Sequence, residues 1–536
     1  MNKKLYKSFS RPLHAFLTSL LTIALLNGIA YFLPFNLLTF FGGNELDRNT
    51  IINYAPEVWL ALLAFVFGTL IIVISIASES TPKLIDLFVK DYKSRYYIWI
   101  ITISILQNVF LQLIHTRQTL FFDNLIYVNN YVLLPFFIIL AIPYIFYILR
   151  YTKNSNVIDK IYEENRHAIR TAAKLSASRL KINQSHQAIF ETINQLQDLL
   201  QYVQFKEPKA EIIGKFGKSL RFYLERKRKF NDHYFKLSYA AQNDISFKTL
   251  ADQFSAIERN KIFYEQKVLN AFTVSYHLLI QESLFDLASL CGNELYECGK
   301  TAIELEDDAA LDLIIIHFNT LIRFGMNQGL KTKEIRNVYN MIFHYTQLVN
   351  ALIGKRKEDR IVQCCRYFNF YGNEIGKLST SDQVFVFLHD AFAIGLKKIL
   401  FSLYENKFSR ETQLVVVRIF NELCSQEVVR RINMKGVNYS NTRAIQIALC
   451  LFYLEQDEAE FTTITIEFIL HDLRDLSPED AEKVINTSCG RIAGEPENFW
   501  EETDQGNRNI FYSPYKSRIP ELQGHLLSRL AVKANA

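Results

Sequence analysis

The sequence predicts an all-α protein in two parts: a four-span transmembrane helical bundle followed by a large cytoplasmic α-helical, solenoid-like domain. Three observations predict it. Four uncharged apolar runs crowd the first 150 residues, each close to the ~20 residues a helix needs to cross a bilayer core. From Ser246 to Lys533 apolar residues recur at three- and four-residue steps, the period of a helix with one buried face. Alternating strand patterns are essentially absent. At 536 residues the chain is long enough for more than one domain. The expected boundaries are 1–153 for the membrane part, 154–236 for a connecting helix and basic segment, and 237–536 for the helical domain. Averaging an apolar quarter with a polar remainder explains a mean hydropathy near zero.

Met1 to Pro12 carries Lys3, Lys4, Lys7 and Arg11. The first run, Leu13 to Leu33, resembles a signal peptide, but it lacks a small-x-small cleavage site and reads as a retained first span. Thr18, Thr22, Asn27 and Tyr31 dot it and are expected to back-bond or meet another helix. The second and third runs, Val58 to Ala77 and Tyr96 to Ile114, flank a charged bend, Ser78 to Arg95. The fourth is Tyr131 to Leu149. Lysine and arginine collect in the N-terminal segment, in the bend (Lys83, Lys90, Lys93, Arg95) and after the fourth run (Arg150, Lys153, Lys160). The other two loops carry only Arg48 and Arg117. Basic residues accumulate on the cytoplasmic side. Both termini and the bend are therefore expected on the cytoplasmic side of the membrane. Pro135 and Pro143 each remove a backbone donor from the fourth span, which makes a kink, either static or a hinge.

After the polar break Asn154-Ser155-Asn156, a long helical pattern runs to about Phe205. In it Ile182, Ile189, Ile193, Leu196, Leu200 and Val203, with His186 between, form a short heptad seam. Such a seam suits self-association or, more commonly over three heptads, the core face of an antiparallel pair. Ala210 to Lys236 is the most basic stretch, with Lys215, Lys218, Arg221, Arg226, Lys227, Arg228 and Lys229 among interleaved aromatics. Two readings stand side by side. The stretch is a binding surface for anionic lipid head groups, or a solvated helix face over an apolar core.

Beyond it, helix breaks are expected at Gly292, Gly329-Leu330, Gly354, Ser379 to Asp382, Asn406 to Ser409 and Lys435 to Asn441. Helices of about 20 residues joined by short turns point to stacked antiparallel pairs. No clean repeat signature is visible. Cys489 to Pro520 reads as an irregular arm before a last short helix.

No chemistry stands out. The net charge of +5 is too mild for a nucleic-acid binder. All seven cysteines fall at or after Cys291 with no zinc spacing, as expected of reduced cytosolic thiols. Gly217-Lys218-Ser219 is the tail of a phosphate loop, but Ile212 occupies the position that needs the first glycine. His389-Asp390 and His471-Asp472 are helix neighbours that point apart. No metal, cofactor or enzyme motif is recognised. The clearest polar signal lies inside the spans. Ser104, Asn108 and Gln112 lie four apart on the third, with His115 three further on and Gln107 at the flank. On the second, Ser75 shares a face with Glu79. An unpaired amide facing lipid costs several kcal/mol, so these residues face another helix or a water-filled path.

Phe65 to Arg95 contains Ala77-Ser78, Pro82-Lys83-Leu84-Ile85, Phe88 and Asp91. In this it resembles a large bacterial family of inner-membrane proteins of unknown function. Those show a span ending in Ala-Ser, then Pro-Arg-Leu-Leu, Phe and Asp before the next span. Lys83 replaces the usual arginine, and Tyr92 stands where a basic residue is usual. The resemblance covers the membrane quarter. It implies an integral membrane protein and no activity.

Together these readings lead to one expectation and one rival. The expectation is a homo-oligomeric ion channel or pore regulated by its cytoplasmic helical domain, with Ser75, Glu79, Ser104, Asn108, Gln112 and His115 lining it. The rival is a non-conducting membrane-anchored scaffold or sensor that binds a protein partner through that domain. The expected partners are membrane lipids, anionic ones included, further copies of the chain and a cytoplasmic protein; nucleic acid is not among them.

Overall fold

The computed structural model describes residues 2–33, 35–40, 45–80, 92–114, 119–149, 153–174, 178–378, 383–425, 440–474, 476–494 and 513–534. Among these the secondary structure is helical, with no strand. The chain divides into two compact units. One comprises residues 1–161 with 198–208, the other 162–197 with 209–536.

The first unit holds the apolar helices: α1 (Asn2–Phe32), α2 (Glu45–Ser80), α3 (Tyr92–Leu113), α4 (Leu120–Tyr127) and α5 (Leu134–Leu149). A π-helical turn, Val128–Leu133, fuses α4 to α5. The reason lies in Pro135. Its ring would collide with the Tyr131 carbonyl in an α ladder, and widening the preceding turn to five-residue bonds relieves the clash. The turn closes with the Leu134 amide on the Asn129 carbonyl. Four stretches are long and apolar enough to cross a membrane: Leu13–Phe32, Asn49–Ile72, Tyr92–Leu113 and Leu120–Leu149. Their outward faces are bare hydrocarbon. Leu25, Phe32, Ile71, Leu113, Ile139 and Phe146 are all more than 60% exposed. α1 packs on α3, and α2 on both α3 and α5.

The polar groups of α1 meet α3, as helix contacts should. Thr18 pairs with the Tyr92 hydroxyl at 2.8 Å and Thr22 with that of Tyr96 at 2.9 Å. Asn27 and Gln107 exchange two amide hydrogen bonds of 3.2 and 3.1 Å.

The second unit is a two-layer stack of helix pairs. One layer is α8 (Lys206–Lys227), α10 (Phe285–Glu304), α12 (Arg336–Gly354), α14 (Gln383–Glu405), α16 (Ser440–Glu455) and α18 (Pro478–Gly494). The other is α9 (Phe263–Gln281), α11 (Asp308–Thr332), α13 (Glu358–Leu378), α15 (Arg410–Leu423), α17 (Ala459–Asp472) and α19 (Ile519–Ala534). From α10 onward in the first layer, and from α9 in the second, successive helices of a layer pack on each other.

The turns inside the pairs repeat a single geometry. Glu306, Arg356, Lys407 and Asp457 all have positive φ, at spacings of 50 or 51 residues. The next amide bonds back over five residues each time. Asp307 reaches the Ala302 carbonyl at 2.9 Å, Lys357 reaches Leu352 at 3.1 Å, Phe408 reaches Leu403 at 3.1 Å, and Glu458 reaches Tyr453 at 2.9 Å. This closes the orphan carbonyls of the finished helix. Side chains then bridge one turn to the next. Lys357 bonds Asp308 at 2.9 Å, Arg360 bonds Asp312 at 2.6 Å, and Arg410 bonds Glu460 at 2.6 Å.

Several expected breaks move. Gly292 lies mid-helix in α10, where a Cβ would sit 2.7 Å from Met341 Sδ. That glycine serves the close approach of α10 and α12, and a turn was the wrong inference. α11 runs past Gly329 to Thr332, ending on Lys333 with positive φ. Gly354 and Asn406 to Ser409 do fall at helix ends. The break expected at Ser379 to Asp382 lies outside the described residues, as do residues 435–439 of the one expected at Lys435 to Asn441, whose last two residues open a helix at Ser440. Cys489 belongs to α18, whose pattern extends to Gly494. A fifth helix, Asp308–Gly329, also meets the length and composition needed to cross a membrane, but 61% of its apolar window is buried. Its Asp308 and Asp312 pair with Lys357 and Arg360 of the next helix pair, so its apolarity serves the interior of the stack.

In sequence between α5 and α8 lie α6 (Asn154–Ala172) and α7 (Arg179–Tyr202), and the heptad seam runs along α7 and just beyond. Ile182, Ile189, Ile193, Leu196, Leu200 and Val203 are all buried within the chain, the core-face alternative of the two readings. His186 joins them. Its Nε2 donates to the Tyr234 carbonyl at 2.9 Å and its Nδ1 accepts from the Ser238 hydroxyl at 3.1 Å. Burial holds the imidazole neutral down to about pH 4. The unfolded chain takes up this proton from pH 6.5 downward and the folded chain does not. Stability from this group is therefore full above pH 6.5 and is lost as pH falls towards 4. Between pH 7 and 5 the loss is about 2 kcal/mol. Thermal unfolding of the full chain in detergent at both pH values should show it, and His186→Gln should flatten the slope.

Candidate functional site

The interior of the first unit is its most unusual feature. Ser104 and Asn108 of α3 are buried, as the four-residue spacing required of one face. The Asn108 amide donates to the Ser104 carbonyl at 2.9 Å. Ser104 Oγ has no hydrogen-bond partner. Gln107, one position round the helix, is the group that reaches α1. Gln112 is half-buried and Ser75 is exposed. The Glu79 side chain and all of His115 lie outside the described residues. Ser104 and Asn108 are thus brought together inside the unit, and Ser75 is on its surface.

A residue outside the expected set belongs with them. Asn129, in the π turn, is 1% exposed, and neither its side-chain Oδ1 nor its side-chain Nδ2 has a partner. Tyr97 packs against the rings of Phe137 and Tyr144, and Leu111 joins Leu125 and Ile126 in one apolar cluster. These contacts run α3 antiparallel to the α4–α5 rod and set Asn129 within a turn of the level of Asn108. The neighbouring Asn130 accepts from the indole of Trp59, fully buried on α2, at 3.2 Å. A buried amide with no partner costs several kcal/mol, so Asn129 and Ser104 mark a place that wants water or another polar group. The signal was present in the sequence as Asn129-Asn130 shortly before Pro135. Those two asparagines stand directly before the apolar run that starts at Tyr131.

The basic segment divides. Arg221 bonds Glu294 at 2.8 Å. Lys227 is buried, 2.5 Å from Glu265 Oε1 and 2.7 Å from Asp307 Oδ2. Arg228 donates to the Leu305 carbonyl. These three lipid-binding candidates have partners in α9, α10 and the following turn; Lys227 is buried by them, while Arg228 remains exposed. Lys215 lies 3.6 Å from Glu211 and over the Tyr162 ring. The Arg226 guanidinium stacks 3.6 Å from the centre of Phe222, and Arg166 and Arg170 approach the same ring at 4.9 and 5.5 Å. Lys218 and Lys229 are exposed.

His389 and Asp390 are both buried, but His389 Nδ1 and Asp390 Oδ1 are 3.9 Å apart, too far for a hydrogen bond. The histidine uses Nε2 on the Leu423 carbonyl at 3.1 Å. The seven cysteines are buried free thiols.

No protein-family profile matches this chain, and no curated protein does. Among solved structures it is similar to one described as a circular tandem repeat protein with novel repeat topology and enhanced subunit contact surfaces. The match has 11% identity and a TM-score of 0.38, over 88% of this chain and 99% of the other.

Proposed function

We propose that this is a multi-pass membrane protein whose helical-repeat unit is a cytoplasmic scaffold for a protein partner, carried by the four apolar helices. The observation that carries this reading is the 50-residue recurrence of the turn geometry. Stacked helix pairs present an extended face, and proteins built this way use it to bind other chains. Exposed apolar groups on the stack suit such a role: Ile316 on α11 and Phe370 on α13, half or more exposed, lie in one layer. Membrane insertion is supported by the hydrocarbon faces of the first unit, which water would solvate poorly, and by the placement of basic residues in its loops.

Two experiments test the reading. Reporters fused within Gly43 to Asn53, or between Arg117 and Asn129, should be periplasmic, and reporters at Lys90 or after Lys153 cytoplasmic. Labelling of Lys90 from outside would overturn the topology. A photo-crosslinking residue in place of Phe370, in the full chain in its membrane, should give a discrete heavier adduct with another polypeptide. Loss of that adduct at every exposed position of the α11 and α13 layer would remove the scaffold.

A second reading, a channel, is favoured by the partnerless polar atoms of Ser104 and Asn129. In it, water occupies the interior of the first unit. Cysteines at Ser104 and Asn108, in a background without native cysteines, should then react with a small hydrophilic thiol reagent, while Phe110, exposed on the apolar face, should not. Asn108→Leu should lower ion flux in liposomes by drying the path. Equal reaction at all three positions, or at none, sinks the channel.

A further inference from the structure

A cavity of about 430 Å³ opens at the turn edge of the stack, between the α14–α15 and α16–α17 pairs. Aromatic rings form three of its sides. Tyr404 stands edge-on to Phe452, at 86° with centroids 5.4 Å apart, and Tyr515 leans on Phe452 at 6.0 Å and 55°. A ring whose face borders such a cavity attracts a cation held there.

The polar lining has the same sign. Glu405 and Glu458 contribute carboxylates, against one ammonium, Lys407. Glu458 also lies 3.5 Å from Arg410. Burial, then the charges of Glu405 and Glu455, push the Tyr515 phenol up, which keeps its ring neutral beside those carboxylates. Gln413 adds an unsatisfied acceptor to the lining. It is 6% exposed and lines the cavity. Its amide nitrogen is used on the Phe408 carbonyl at 2.9 Å, while its carbonyl oxygen is buried with no partner. A buried acceptor without a donor asks for one from a ligand.

We propose that this cavity is a binding site for an alkylammonium cation, held by the faces of Tyr404, Phe452 and Tyr515, with Glu458 supplying charge and the Gln413 carbonyl accepting an N–H or O–H of the ligand. A neutral apolar guest would leave that carbonyl unsatisfied and gain nothing from the carboxylates. An anion would face two of them. The ammonium can come from a free amine or from a lysine of another protein. The site stands whether or not the stack serves as a scaffold.

Calorimetry on the purified full chain tests it with three probes: choline, its uncharged isostere 3,3-dimethylbutanol, and an acetylated, amidated lysine peptide. Choline or the peptide should bind in the micromolar to millimolar range, and the isostere at least roughly tenfold more weakly. The arm that binds identifies the source. Tyr515→Leu should weaken binding roughly tenfold, and Glu458→Gln several-fold with loss of its salt dependence. Phe401 packs behind Phe452 at 4.2 Å and does not line the cavity, so Phe401→Leu reports damage to packing alone and should leave binding within about twofold. Absence of heat with both cations, or equal binding of choline and its isostere, overturns the proposal.

Discussion

Lys227→Met is expected to destabilise the helical-repeat unit by about 3–5 kcal/mol. The ammonium lies between Glu265, which is fully buried, and Asp307. Burial pushes the Glu265 carboxyl up, and Lys227 is what opposes it. Removing the lysine strands a carboxylate with no cation in a dry site. Asp307 suffers less, because it also caps α11 by accepting from the Ala310 amide at 3.1 Å. The damage should depend on pH. A stranded Glu265 has its folded pKa raised above the unfolded value, so it stabilises by holding a proton at low pH and loses that as pH rises. The gap between variant and wild type should therefore narrow as pH falls. Adding Glu265→Gln should recover most of the loss, since replacing both members of a buried pair is often close to neutral. Denaturant unfolding of the full chain in detergent, followed by circular dichroism, reads both variants against the wild type. A lipid-facing Lys227 would instead alter binding to anionic vesicles and leave stability within about 0.5 kcal/mol.

Arg443→Met should cost about as much, but at the other end of the stack. Arg443 is 2% exposed and donates to Asp472 at 2.6 Å. It also holds the Gln446 carbonyl, whose amide reaches Asn421 at 3.1 Å, and Asn421 donates to Thr465 at 3.4 Å. One guanidinium thus links α15, α16 and α17. Arg443→Lys should recover only part of the loss, because an ammonium cannot fork between Asp472 and Gln446. Helix-pair stacks are coupled mainly to nearest neighbours. Hydrogen exchange should therefore quicken in α15 to α18 while α10 to α12 keep their protection. Uniform loss of protection along the unit would show that it unfolds as a single body.

The helical class and the apolar runs were legible because both are local. An uncharged run of some twenty residues, or leucines and isoleucines at three- and four-residue steps, needs no knowledge of the rest of the chain. The seam from Ile182 to Val203 was readable as a face for the same reason, although burial inside the chain, rather than against a second copy, is a tertiary outcome. The basic stretch shows the limit. Lys227 and Lys229 are equally basic in the sequence, yet one is buried between carboxylates and the other is exposed.

The repeat was hidden for a different reason. What recurs is a backbone geometry at Glu306, Arg356, Lys407 and Asp457, and the side chains there share only that they are charged, with either sign, because a left-handed helix end is held by its hydrogen bond and the packing of its helices. Glycine misled in both directions, marking no turn at Gly292 and being absent from these four. Helix type, the apolar runs and the distribution of charge are set by neighbours within a few turns and can be read along the chain. Which helices pair, which of the lysines and arginines lose their water, and where Asn129, Gln413 and the rings around the cavity meet are settled by packing. Those outcomes depend on residues tens of positions apart, whose association is driven by burial of shared surface and carries no mark in local order.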